Sequence, residues 1–263
     1  MLRRNIAKAP FTSLAILALF AVPTVAQAQQ KPPGGSFLEE FNQLSPSRWY
    51  ISDGWNNGAH QNCTWLKRNV KLSDGVLKLV FAKQKTKDRE YGCAEVQTKT
   101  RYSYGTYEVR MKSAAGKGLN SAMFTYIGPV SKQPWDEIDF EVLGKDPSRV
   151  QLNQYVDGKG GNEKFAAVEG GADQAFNDYA FIWEKERLRY FVNGVLVHTV
   201  TDTAAIPTHP SAIMLSMWGS DTLESWLGKF VDPGEVALEV DRISYTAPGD
   251  KCQFPTSVAC SQQ

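Results

Sequence analysis

The sequence predicts an all-β sandwich, and three observations carry that prediction. About a dozen short runs of alternating apolar and polar residues are separated by turn residues, at the spacing of a sandwich. Asn193-Gly194 stands between two such runs, Leu188–Val192 and Val195–Val200, and Asn-Gly is the strongest short hairpin signal. No stretch keeps a long apolar period of 3.6 residues, so helix is a minor component.

The first 28 residues read as an export signal. Arg3, Arg4 and Lys8 precede an apolar run over 11–25, and Ala26-Gln27-Ala28 has the small-residue pattern of a cleavage site. The run is shorter than the about 20 apolar residues that span a bilayer. Cleavage after Ala28 leaves 235 residues, enough for one large domain. Residues 54–63, GWNNGAHQNC, read as a surface loop of the kind that contacts ligands. Strands are expected over 76–82, 94–100, 104–112 and 120–127. An acidic strand follows, then a turn at Gly144-Lys145-Asp146-Pro147, and further strands over 150–156 and 179–183. After the Asn-Gly hairpin, 212–218 and 236–245 complete the set. No repeat or linker divides the chain. The expected organisation is therefore a signal peptide (1–28), one domain (29–248) and a short tail (249–263).

Composition narrows the partners. Removing the three bases of the signal leaves 26 Lys and Arg against 28 Asp and Glu, a net charge of −2. With no polybasic block, nucleic acid and anionic membrane surfaces are not expected partners. All four cysteines, Cys63, Cys93, Cys252 and Cys260, follow the signal. An even number in an exported chain reads as disulfides, with three connectivities open. Proximity in sequence favours Cys63–Cys93 and Cys252–Cys260. No CxxC spacing supports zinc, and His60, His198 and His209 are scattered and read as loop or surface residues. No GxSxG supports a serine nucleophile.

The chemistry concentrates in Trp135-Asp136-Glu137-Ile138-Asp139-Phe140-Glu141-Val142-Leu143-Gly144. On a strand, Glu137, Asp139 and Glu141 share one face while Ile138, Phe140 and Val142 share the other. Three like charges on one face weaken the fold, a cost that makes sense if the face lines a site. Four residues of strand span roughly 13 Å, and inward-leaning glutamates bring their carboxyls about 5–6 Å apart, near the separation in retaining glycosidases. Neighbouring carboxylates push their pKa values apart, so one can be ionised while another holds a proton. Gln151, Asn153 and Tyr155 share a face on the next strand, where they can stand beside the acids and bind sugar hydroxyls. Trp55, Tyr104, Tyr126, Trp135 and Trp218 offer flat surfaces for sugar rings, although core packing is the ordinary use of an aromatic.

These residues resemble glycoside hydrolase family 16. WDEIDFEVLGKD, preceded by YGTYEVRMK and NSAMFTYIGP, is similar to the family signature in its bacterial lichenase form. The likeness runs from GSFLEEFN to VDRISYTA and includes DGWNNGAHQNCTW, VQLNQYVDGKGGNEKF and MWGSDTLESWLG. The E-I-D-F-E spacing resembles the lichenase branch rather than the laminarinase branch, whose strand carries an extra residue. The resemblance implies a β-jelly roll of two curved antiparallel sheets with a concave substrate groove. It implies Glu137 as nucleophile, Glu141 as general acid/base and Asp139 as the helper beside the nucleophile. It implies substrate contacts at Tyr104, Trp135, Glu95, Asn153, Tyr155 and Trp218, and a disulfide between Cys63 and Cys93. No cofactor is required. The resemblance admits a structural calcium held by the Asp241 side chain and the carbonyls of Glu40 and Gly75.

Two positions depart from the lichenase pattern: Gln97 replaces a substrate-binding Arg, and Ser216 replaces an Asn. The tail motif CQF…VAC is similar to that of members acting on succinoglycan. The expectation is thus a secreted, monomeric, retaining endo-1,3-1,4-β-glycanase that depolymerises an acyl-decorated exopolysaccharide of this type. A lichenase, a transglycosylase or a non-catalytic carbohydrate-binding jelly roll are the alternatives.

Overall fold

A computed structural model describes residues 34–262. The expected signal, 1–28, lies outside the described residues. In chain order the strands are β1 (Phe37–Glu39), β2 (Trp49–Ile51), β3 (Cys63–Trp65), β4 (Val70–Ser73), β5 (Val76–Lys83), β6 (Tyr91–Thr98), β7 (Gly105–Lys112) and β8 (Leu119–Ile127). There follow β9 (Asp136–Leu143), β10 (Arg149–Tyr155), β11 (Lys164–Ala167), β12 (Asn177–Trp183), β13 (Leu188–Val192), β14 (Val195–Val200), β15 (Ala212–Gly219) and β16 (Val236–Thr246). Among the described residues the one α-helix is a single turn, α1 (Glu224–Leu227), as the missing helical period predicts.

Two antiparallel layers form the sandwich. One runs β11-β10-β9-β8-β15-β6 and the other β5-β16-β7-β12-β13-β14. They join where Ala82 and Lys83 of β5 pair with Gly92 and Tyr91 of β6. The apolar face of β9 supplies the join between layers: Ile138, Phe140 and Val142 are fully buried. The Phe140 ring lies 5.6 Å from Tyr179 and 5.5 Å from Tyr190, both in the second layer. The hairpin of β13 and β14 turns at Asn193 and Gly194, whose φ values of 49° and 78° are those the tight turn requires. Both expected disulfides, Cys63–Cys93 and Cys252–Cys260, are present.

Five strands were not anticipated from sequence: β1, β2, β3, β4 and β11. Each is three or four residues long, too short to display alternation. The loop 54–63 is also less superficial than its composition suggests, because Gln61, Asn62 and Cys63 are buried at its end. His198 lies on β14, and its ring stands 6.2 Å from that of Tyr190.

Candidate active site

The register of the first layer sets the site out in rows. Glu137 lies opposite Tyr155 on one side and Tyr126 on the other, and Tyr126 lies opposite Ala212. Asp139 lies between Asn153 and Phe124, with Met214 and Gln97 beyond. Glu141 lies between Gln151 and Ala122, followed by Ser216 and Glu95. The small side chains of Ala122 and Ser216 keep the floor low between Glu141 and Glu95. Above these rows opens a cleft of about 1080 Å³, lined among others by Glu95, Trp135, Glu137, Glu141, Tyr155 and Trp218.

Each glutamate has a donor from a neighbouring side chain that is always neutral. The Trp135 indole N–H donates to Glu137 Oε2 at 2.5 Å, and the ring stacks on Tyr155 at 4.8 Å. The Asn120 amide donates to Glu141 Oε1 at 2.9 Å. Desolvation by burial pushes Glu137 up to about 7, opposed by hydrogen bonds from Trp135 and Asp139. The same desolvation pushes Glu141 up to about 8, opposed by Asn120 and reinforced by the Glu137 charge. Asp139 is raised well above the usual range, first by burial and then by the charges of Glu137 and Glu141. Near neutral pH the arrangement therefore favours ionisation at Glu137 before Glu141, with Asp139 protonated and able to donate to Glu137.

The strand is anchored at both ends. Asp136 belongs to the inward face, yet its buried carboxylate is satisfied by the amides of Asp157, Thr208 and His209 and by His209 Nδ1 at 2.8 Å. Burial alone would raise its pKa; those donors outweigh burial and hold it below the usual value. At the other end a Cβ on Gly144 would stand 2.4 Å from the Gly116 carbonyl oxygen.

Not every residue expected at the site lines the cleft. Tyr104 is half-buried and packs against the core, its ring 5.2 Å from Trp183, and it is not among the residues lining the cleft. Asn153 and Asp139 are buried beneath the cleft, and their Oδ1 atoms have no donor among the described residues. Glu95 is buried beside Ser52, which donates to it at 2.6 Å, and burial raises its pKa to about 7. The sequence reading missed Asn120, Trp226 and His60. Trp226 donates to Gln151 at 2.8 Å and stands 6.0 Å from Trp218, while His60 meets Trp218 edge-on at 5.7 Å. Asn120 was within reach of strand alternation, since it shares the face of Ala122 and Phe124. Trp226 comes from the single-turn helix α1 and His60 from a loop, and neither has a period long enough to place a side chain.

Part of the calcium set converges. A Cβ on Gly75 would lie 3.8 Å from the Glu40 carbonyl oxygen and 3.9 Å from Asn42 Oδ1, oxygen donors of the type calcium takes. Asp241 is the extra residue at a bulge in β16, between Val240 opposite Met111 and Arg242 opposite Arg110. Its Oδ2 accepts from Arg242 at 3.0 Å and lies 3.7 Å from Arg110.

Residues 57–232 match the family model described as glycosyl hydrolases family 16. The chain belongs to glycoside hydrolase family 16. This family 16 chain is 59% identical to the endo-1,3-1,4-β-glycanase ExoK of Rhizobium meliloti (strain 1021), over 86% of this chain and 84% of that protein. It is 38% identical to a β-glucanase of Bacillus subtilis (strain 168), over 88% of this chain and 93% of that one. Among solved structures, the β-glucanase of Bacillus licheniformis superposes with a TM-score of 0.78 at 37% identity, covering 81% of this chain and 99% of its own. The family 16 chain is accordingly a glycoside hydrolase, and its all-β sandwich is a lichenase-type jelly roll.

Proposed function

We propose that the chain is a secreted, retaining endo-β-glycanase that cuts β-1,3-1,4-linked glycan within an exopolysaccharide of succinoglycan type. The observation that carries the reading is the pair of glutamates on the floor of one cleft, each with its own donor, in a chain 59% identical to an endo-1,3-1,4-β-glycanase. Glu137 Oε1, free of the Trp135 bond, attacks the anomeric carbon. The bond to the leaving oxygen breaks as that oxygen takes the proton of Glu141. Asn120 engages Glu141 Oε1, which leaves Oε2 to carry that proton. In the second step water gives a proton to Glu141 and its oxygen displaces Glu137 from the sugar.

Gln97 and Ser216 favour the exopolysaccharide over plain mixed-linkage glucan, because Gln97 removes a charge and Ser216 shortens a side chain relative to the lichenase pattern. Two disulfides are consistent with an oxidising compartment, and no helix among the described residues is long and apolar enough to cross a membrane. We further propose a structural calcium beside Gly75, Glu40 and Asp241, without a part in the chemistry.

The test is size-exclusion chromatography of polymer digests. Rapid shortening of succinoglycan with little action on barley mixed-linkage glucan supports the assignment; the reverse makes the chain a lichenase. Products longer than the starting chains would indicate transfer to sugar. Glu137→Gln should lower turnover at least about 10³-fold while oligosaccharide binding persists. Near-normal turnover in that variant removes the mechanism.

A further inference from the structure

The ladder between β6 and β15 is interrupted at one place. Regular pairing ends with Met214 opposite Gln97. Beyond it the Thr98 hydroxyl, not a backbone carbonyl, accepts from the Ile213 amide at 2.9 Å. Pairing resumes only at Tyr102 opposite Ser211, which exchange hydrogen bonds of 2.8 and 2.9 Å. Lys99, Thr100 and Arg101 therefore stand against the single residue Ala212. Extra residues in one strand re-aim their side chains. Here they carry two exposed cations over the cleft rim, beside Ala212 and Tyr126 in the row of Glu137.

Among the described residues no acid pairs with these charges. Neither cation moves the titration of Glu95, Glu137 or Glu141, the acids that line the cleft. The Arg101 guanidinium donates to Ser131 Oγ at 2.7 Å, which fixes it on the wall and leaves its other N–H groups free. A neutral glucan gains little from two such charges. An anion hanging from the glycan backbone gains a guanidinium fork and an ammonium together, and a planar carboxylate suits the fork.

We propose that Lys99 and Arg101 form a subsite for a carboxylate borne as a substituent on the glycan near the Glu137 end of the cleft. The proposal rests on the glycanase reading and narrows its substrate to an anionic polymer.

The experiment uses mixed-linkage glucan esterified to one low degree with a dicarboxylic acid, either with its free carboxylate or with that carboxylate capped as the methyl ester. The wild-type chain should show about fivefold higher kcat/KM on the charged polymer at low ionic strength, as two solvent-exposed pairs would give. The preference should shrink as salt is raised past about 0.15 M, where screening reaches about 8 Å. Lys99→Gln/Arg101→Gln should bring the ratio of the two rates close to one, with folding checked by circular dichroism. Arg101→Lys, which keeps the charge but loses the fork, should retain part of it. Binding is read separately by titrating Glu137→Gln with oligosaccharides of both kinds. The charged set should bind about fivefold tighter. Equal affinity for the two sets, or a preference that survives the double substitution, overturns the subsite. Charge-selective binding without cutting of any polymer supports the subsite and counts against the glycanase reading.

Discussion

Glu137 and Glu141 differ in donor, and in the proposed reaction that difference separates their roles. The indole N–H of Trp135 stabilises the ionised form of Glu137, so in the proposed reaction Trp135 would position and tune the nucleophile. Trp135→Phe keeps a ring on Tyr155 and removes only the donor. Glu137 should then ionise later, and the acidic limb of kcat/KM, expected near pH 7 in the wild type, should move up by roughly half to one pH unit. A change in KM alone, with the limb unmoved, would leave Trp135 as a sugar platform only. Asp139 makes a second residue-scale test. Its pKa is raised in the fold, so between the unfolded value and the folded one the native state holds more protons than the unfolded state. Stability from this group is therefore complete at low pH and falls as pH rises through that window. Asp139→Asn, which cannot ionise, should therefore gain stability on the wild type as pH is raised from 4 to 8. Denaturant midpoints at the two pH values measure it, and a gap that stays constant contradicts the raised pKa.

At the scale of the element, β9 is a rod clamped at both ends. The entry clamp is Asp136, bonded to amides more than seventy residues away. The exit clamp is the close approach of Gly144 to Gly116, whose amide donates to the Gly144 carbonyl at 2.9 Å. Gly144→Ala would drive a Cβ into the Gly116 carbonyl, and backbone rather than a flexible side-chain end must yield. The expected loss is about 1–3 kcal/mol of stability, together with a fall in kcat as the strand end shifts under Glu141. Thermal melts and steady-state rates check both parts; an unchanged melt would show that the loop absorbs the methyl freely. The same strand marks what the sequence could tell. Alternation placed Glu137, Asp139 and Glu141 on one face and the apolar residues on the other, because a two-residue period needs only local information. It could not explain Asp136, an acid on the inward face, because its donors arrive from the loop before β15. It placed Tyr155, the last residue of β10, beside the acids, but it could not place Tyr104, which precedes β7 and packs on Trp183. Strands of three or four residues escaped notice for want of a period to count.

For the whole molecule, the open question is what ties the outer rim of the second layer to the start of the chain. β1 pairs with β16, Glu39 opposite Ile243, and Glu40 follows directly. The turn at Asp74 and Gly75 then comes against the Glu40 carbonyl and Asn42. Two oxygen-bearing segments, 40–42 and 74–75, thus approach one place, and the bulge in β16, the strand paired with β1 and β5, frees Asp241 from the ladder. An ion bound there would bind only the folded chain, so it would stabilise by mass action, by about 2.7 kcal/mol at a hundredfold excess over Kd. At roughly 2–4 °C per kcal/mol for a domain of this size, calcium should raise Tm by about 5–10 °C relative to chelator. Asp241→Asn also loses its pairs with Arg242 and Arg110, so its Tm in chelator falls by itself. The informative quantity is the difference between calcium and chelator, which should collapse in the variant and persist in the wild type. Equal melting of the wild type in both media would assign Asp241 wholly to its arginines, and the turn at Gly75 would then be held by packing alone.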